Sequence, residues 1–328
     1  MSRVKAALSL PALFAALLAL GLSTTALPRP GAQGMQARSL PGPFPPAEPG
    51  TFPDEWIHGA DCAGDPPIQW HAYNEDLYIL RQSKCDTFEA PFLYLIFGED
   101  RALLIDSGAA PSSPVKETVD RIIDLWLAQK GKTSIELIAG HSHSHGDHTA
   151  GDPQFAGQPG VTLVGWDVPV VQAFYGIPSW PDGVGSLDLG GRVLDVIPTP
   201  GHNQDGVAFY DARTHLLLTG DTVYPGHLFV FSPPQWSDFQ ASVARLDDWA
   251  ATHPVSFVLG CHVEMSDVPG VAYAYGTSVQ PDEHPLRFPP SILSEVRAAA
   301  EAMGVTPECK VFDEFVIHPV WLCGLGYH

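Results

Sequence analysis

The sequence predicts an α/β protein with a sheet-rich core and helices on its outside. Three observations carry that expectation. Short apolar runs of strand character recur along the chain and are broken by single stretches of helical periodicity. Hydrophobic residues make up 45% of 328 residues, enough for a substantial buried core. Histidine and aspartate recur where apolar runs give way to loops.

Taken in order, Arg3 and Lys5 precede an apolar run from Ala6 to Leu22, and "STTA" supplies small residues for cleavage. This pattern predicts an export signal over 1–26 and a secreted or periplasmic protein. A membrane anchor fits less well, because the run is short, contains Pro11 and leads into Pro-rich sequence; no stable anchor is expected after cleavage. Residues 27–67 are dominated by Pro and Gly and form a loosely attached leader arm. A catalytic domain is expected over 68–285. Its first strands are "LYILRQS", "FLYLIF" and "ALLIDSG", the last two spaced as a hairpin. "VKETVDRIIDLWLAQKGK" follows with Val119, Ile122, Ile123 and Trp126 at helical spacing and Gly131 as its stop. "IELIAG", "VTLVG", "VLDVIP" and "VSFVLGC" are further strands, "VAFYDARTHLLLTGD" a strand pair, and "VPVVQAFYG" a short helix. A longer helix is expected to be capped at Ser237. Over 286–328, "PSILSEVRAAAEAMG" predicts a helix and "CKVFDEFVIHP" a strand packed on the domain.

The net charge of −20 repels phosphate backbones, so nucleic acid is not an expected partner; a small-molecule substrate is expected, but charge alone does not indicate it. Exported chains form disulfides, and Cys62 with Cys85 and Cys309 with Cys323 are pairs that such a chain allows, although spacing does not fix connectivity. Cys261 is expected to be a buried thiol. The oligomeric state is not encoded in any pattern of the chain.

The densest chemistry lies in "AGHSHSHGDHTAGD". Reading from His143 gives His-x-His-x-Asp-His. His143 and His145 are two apart, so an extended segment turns both rings to one side. Gly146 then lets the backbone turn before Asp147 and His148. Neutral imidazoles and carboxylates suit a borderline divalent ion such as zinc. His141 falls outside this register and is expected in an outer shell or at the surface, and His284 and His318 at the surface. Downstream, His202 follows "VIPTPG", Asp221 follows "LLLTG" and His262 follows "SFVLGC". Any one of these is most simply a loop residue; three in this order behind the cluster are not.

The pieces "LLIDSG", "HSHGDHTAGD", "TPGHNQDG", "LLTGDTVY" and "GCH" resemble the metallo-β-lactamase-fold hydrolases over about Ile68 to Pro285. The resemblance implies an αββα four-layer sandwich of two mixed sheets, with a binuclear site at one edge. It assigns one Zn2+ to His143, His145 and His202, a second to Asp147, His148 and His262, and the bridging position to Asp221. Ala150 stands where relatives usually carry glycine. Asp106 is expected to orient a ligand imidazole from behind. Tyr224, in an Asp-x-x-Tyr like that of lactone-cleaving relatives, is expected to donate to the substrate carbonyl or leaving oxygen; packing of the cavity rim is its equal alternative. Asp147 is expected to orient the bridging hydroxide that attacks an ester, lactone, thioester or β-lactam. True zinc β-lactamases generally lack the bridging aspartate, so Asp221 favours the glyoxalase II, lactonase and phosphodiesterase side. Of these, glyoxalase II is a cytosolic thioesterase in most settings and fits an exported chain poorly, and ester, lactone and β-lactam are preferred in that order. The stretches "FYGIPSWPDG" and "YPGHLFVFSPPQW" are candidates to border an apolar acyl pocket. The alternative is a persulfide-dioxygenase-like oxidoreductase with a single iron, which dispenses with the second set of ligands.

Overall fold

The computed structural model describes residues 44–325, so the expected export signal and the first part of the leader arm lie outside the described residues. A first sheet contains, in spatial order, β1 (Ile68–Asn74), β2 (Leu77–Gln82), β3 (Phe92–Phe97), β4 (Arg101–Ile105), β5 (Glu136–Gly140) and β6 (Val161–Leu163). In the second sheet, β7 (Gly185–Asp188), β8 (Val193–Pro198), β9 (Val207–Asp211) and β10 (Leu216–Gly220) lie side by side, followed by β12 (Phe257–Gly260) and β13 (Arg287–Phe288). A small third sheet joins β11 (His227–Val230), β15 (Val316–Pro319) and β14 (Lys310–Val311).

Both large sheets are mixed. β3 and β4 form the expected antiparallel hairpin, and β4 runs parallel to β5. Helix α1 (Val115–Lys130) makes that crossover, as a parallel pair requires. It stops at Gly131, whose φ of 66° is left-handed and whose N–H bonds the Leu127 carbonyl. In the second sheet β10 runs parallel to β12 across α4 (Pro233–Thr252). Shorter helices are α2 (Gly146–Thr149), α3 (Val168–Tyr175) and α6 (Val320–Cys323), and α5 (Ser291–Met303) packs beside α4.

Strand alternation divides the core into layers. On β4, Leu103 and Ile105 face the middle layer with Leu194, Val196, Phe209, Leu218 and Leu259 of the second sheet. Ala102 and Leu104 face the other way, against Val119, Ile122 and Trp126 of α1. On the far side, Leu217 and Val258 pack against Phe239, Val243 and Leu246 of α4 and Ile292 and Val296 of α5. Helix, sheet, sheet and helix therefore stack in the order that the resemblance implied. Arg192, fully buried, ties the sheets together: it forks onto Asp211 of β9 and also donates to the carbonyls of Asp76 and Phe97 beside the first sheet.

Some expectations need correction. The second part of the arm is not loose. Glu48 N–H bonds Arg213 O at 2.7 Å, Phe52 packs edge-on to Tyr73, Trp56 packs on Phe92, and a Cys62–Cys85 disulfide fastens the segment. Pro and Gly deny the segment a regular element, but its aromatic side chains still find the core edge. α4 begins at Pro233 rather than after Ser237, because prolines in a first turn need no N–H and have φ preset. β11 forms within "YPGHLFVFSPPQW", where no strand was expected, and the expected last strand is the hairpin β14–β15, pinned by a Cys309–Cys323 disulfide. His318 is buried rather than superficial, its Nε2 donating to Gly324 O at 2.7 Å. β13 and α5 belong to the sandwich, so that frame runs past residue 285. No helix among the described residues is long and apolar enough to cross a membrane.

Candidate metal centre

The functional side chains sit on loops leaving the carboxyl ends of β4, β5, β8, β10 and β12, the ends at which open α/β sheets commonly bind ligands. His143 lies in the loop after β5, and His145 is the extended residue before α2, with φ −62° and ψ 152°. α2 then turns Asp147 and His148 back toward them. His202 follows Gly201, whose φ of 145° and close approach to the Phe239 backbone leave no room for a side chain. Asp221 and His262 follow the last residues of β10 and β12.

These loops bring the donors of His143, His145 and His202 into one group, and those of Asp147, His148, Asp221 and His262 into another, each within 4.8 Å. In the first group, His145 Nδ1 is 3.0 Å from His143 Nε2 and 2.9 Å from His202 Nε2. In the second, Asp147 Oδ2 is 3.1 Å from His148 Nε2 and 3.2 Å from His262 Nε2. Asp221 Oδ2 reaches both: it lies 3.4 Å from His148, 3.5 Å from His262, 3.5 Å from His202 and 3.9 Å from His143.

The outward nitrogens explain why the inward ones are free. His148 Nδ1 donates to Asp106 Oδ2 at 2.9 Å, His202 Nδ1 to Phe229 O at 2.9 Å and His262 Nδ1 to Glu89 O at 3.0 Å. His143 Nδ1 meets Ser142 Oγ at 3.1 Å, and that hydroxyl donates onward to Asp106 Oδ2 at 2.9 Å. A neutral imidazole with one nitrogen donating carries a lone pair on the other. Lone pairs and carboxylate oxygens therefore converge, and Asp221 Oδ1 is buried without a partner. Such an arrangement repels itself unless cations sit within it. The donor set, imidazole nitrogens and carboxylate oxygens in two groups, fits divalent metal ions.

Charge within the centre follows the same pattern. Burial pushes His143 well below its ordinary value, with His148 adding to the effect, and burial takes His202 down to about 4. At His148 burial opposes charge, but the carboxylates of Asp147, Asp106 and Asp221 outweigh it and raise the imidazole well above its ordinary value. His262 is raised in the same way by Asp221 and Asp147. Both aspartates are held well below the carboxylate range: burial opposes this, and the neighbouring His262 and His148 overcome it. The site is built to hold positive charge.

Asp106 stands behind the centre, fully buried at φ 68°, accepting from Ser142 N–H at 2.7 Å as well as from His148. Cys261 is a buried free thiol on that same rear side, 3.3 Å from Asp106 Oδ2. His141 is buried in an outer position, 2.8 Å from Asp152 Oδ1. Tyr224 lines the cavity, but its hydroxyl donates its one proton to the His227 carbonyl, so in this placement it has none for a substrate.

The cavity in front of the centre has a volume of about 270 Å³. Its outer wall contains Phe229 and Phe231, from one of the two stretches named as pocket borders; of the other, Tyr175 is buried in the middle core layer. Glu89, Glu264 and Tyr275 also line it and had not been singled out. For Glu264 the signal was its place two residues after His262, which puts both on one side of an extended chain. Glu89 and Tyr275 lie in irregular segments with no such periodicity.

A sequence model described as the Metallo-beta-lactamase superfamily matches residues 86–303. Among curated proteins, the chain is 29% identical over 214 residues to a hydroxyacylglutathione hydrolase of Aeromonas hydrophila, covering 64% of this chain and 74% of that one. It is 32% identical over 151 residues to a hydroxyacylglutathione hydrolase of Rhizobium meliloti, covering 44% and 56%. The acyl-coenzyme A thioesterase MBLAC2 of Bos taurus is 24% identical over 231 residues, covering 60% and 82%. A solved metallo-beta-lactamase from Pontibacter korlensis aligns with a TM-score of 0.47 at 17% identity, over 71% of this chain and 99% of that one. With the family match spanning well over half of its length and both His/Asp donor groups assembled, this chain belongs to the metallo-beta-lactamase superfamily and is a metal-dependent hydrolase.

Proposed function

We propose that the protein is an exported hydrolase that uses two zinc ions to cleave the acyl bond of an ester or thioester. The observation that carries this reading is the position of Asp221, whose Oδ2 lies 3.4–3.9 Å from imidazole nitrogens of both donor groups. His143, His145 and His202 would hold one ion, Asp147, His148 and His262 the other, with Asp221 shared. Bound there, the ions lower the pKa of water toward neutrality and polarise a carbonyl. Asp147, ionised and facing the cavity, is the group placed to take the proton of the attacking water. Water oxygen bonds the acyl carbon, the bond to the alkoxy or thiol group breaks, and that group leaves with a proton. Asp106 contributes by fixing ring orientation. The relatives named as hydroxyacylglutathione hydrolases and as a thioesterase support placing thioesters beside esters and ahead of lactones and β-lactams. The filled second donor group speaks against a single-iron oxygenase. An N-terminal apolar run and two disulfides support export.

Purified zinc-loaded protein tested on esters, thioesters, lactones and β-lactams is expected to hydrolyse an ester or thioester. Chelation should abolish turnover and zinc restore it. Two bound zinc ions with no acyl hydrolysis, or one iron with oxygen consumption, would overturn the proposal.

A further inference from the structure

We infer that the substrate of this site carries an ammonium group, held between Glu264, Glu89 and the aromatic rings of Tyr275 and Phe231. The inference deepens the proposed acyl hydrolysis and rests on it. The centre and these side chains line one cavity. Glu264 is fixed there by His227 N–H at 2.9 Å, and Glu89 by the Tyr275 hydroxyl at 3.0 Å. The rings of Phe229 and Tyr275 meet edge to face, 5.5 Å between centroids. Phe231 continues the aromatic wall and is 39% exposed at the mouth. Phe229 stacks between His227 and Phe231, so Tyr275 and Phe231 complete the aromatic wall beside the carboxylates. Aromatic rings beside carboxylates bind alkylammonium groups because the ring quadrupole and the anions both attract a weakly hydrated cation.

Charge balance points the same way. Two divalent ions would bring four positive charges; Asp147, Asp221 and Glu264 offset three, and Glu89, whose carboxyl burial pushes up to about 7, offsets part of the fourth, so the lined cavity keeps less than about one positive charge to draw in an anion. No Lys or Arg among the described residues lines it. The one nearby ammonium of the chain, Lys84, is buried and donates to the Phe88 carbonyl. Away from the metal centre, a substrate bearing carboxylates or phosphates beyond its acyl bond would meet two glutamates and no cationic side chain. An ammonium ester would place its carbonyl over the centre and its charge against the acidic, aromatic wall.

The test compares an acylcholine, or the matching acylthiocholine, with its uncharged 3,3-dimethylbutyl isostere, which differs only by carbon in place of the quaternary nitrogen. The zinc-loaded full chain should favour the charged ester about thirtyfold in kcat/KM, chiefly through KM. Glu264→Gln, which keeps the shape, and Tyr275→Leu should each reduce that preference to below about threefold with bound zinc unchanged. Choline alone, titrated calorimetrically, should bind wild type at least tenfold more tightly than either variant. Equal or better turnover of the uncharged isostere would overturn the ammonium assignment while leaving acyl hydrolysis standing. If neither ester is cleaved, the hydrolytic reading fails and calorimetry alone decides: choline binding lost in Glu264→Gln supports the ammonium site, and no binding overturns it.

Discussion

Replacing Asp106 by Asn should disable both halves of the metal centre from behind. The carboxylate is fully buried and accepts four hydrogen bonds, from Ser142 N–H, Ser142 Oγ, His148 Nδ1 and the Cys261 thiol. An amide offers one accepting oxygen. If that oxygen stays on Ser142 N–H, the amide nitrogen faces His148 Nδ1 and Ser142 Oγ, and both must become acceptors. His148 then carries its proton on Nε2, inside the second donor group. The Ser142 hydroxyl, reversed, donates to His143 Nδ1 and moves that ring's proton inward as well. One ligand is lost from each group. Removing an outer partner costs about 10- to 100-fold in metal affinity, or about 1.4–2.8 kcal/mol per ion. Equilibrium dialysis against chelators of graded strength, with zinc counted by mass spectrometry, should show both affinities falling in Asp106→Asn. Ser142→Ala should weaken chiefly the ion held by His143, since His148 keeps its direct bond. Two zinc ions retained by Asp106→Asn at wild-type affinity would refute the tautomer argument.

Other perturbations have defined outcomes. Tyr224→Phe leaves the buried His227 carbonyl without its donor, so it should cost about 1–2 kcal/mol in urea unfolding while turnover changes less than about threefold; a large fall in turnover with stability intact would reinstate the phenol as a donor to substrate. Arg192→Met strands the Asp211 carboxylate between the sheets and should destabilise the fold by about 3–5 kcal/mol, whereas a loss under about 1 kcal/mol would mean the clamp is dispensable. Burial, aided by Arg81, lowers the Lys84 ammonium from 10.5 to about 8, so the unfolded chain binds the extra proton between these values and stability from this group rises with pH. Wild type should therefore gain up to about 3 kcal/mol relative to Lys84→Met between pH 8 and 10.5; parallel pH profiles would rule this out.

How much of this was legible beforehand depended on periodicity. The hairpin of β3 and β4, the crossover α1 and its Gly131 stop were readable because apolar spacing and a left-handed cap are local signals. His143, His145, Asp147 and His148 were readable as a group because two-residue spacing and a following glycine are chemistry within one segment. That His202, Asp221 and His262 join them was suggested by their places at strand ends, which parallel strand order brings to one edge. The cavity wall was legible only in part. Phe229 and Phe231 lie in a stretch named as a pocket border and Glu264 lies two residues after His262, whereas Glu89 and Tyr275 come from irregular segments that carry no periodicity. His318 was misplaced for the same reason: nothing local shows that its strand is covered.

His202 and His262 are steered by the main-chain oxygens of Phe229 and Glu89, while the side chains of those same residues face the cavity. A peptide carbonyl survives almost any substitution. Positions 89 and 229 can thus exchange their side chains, and with them the shape and charge presented to a ligand, without releasing the rings they steer. Retuning of selectivity and upkeep of the catalytic cations are thereby uncoupled at the very residues where they touch.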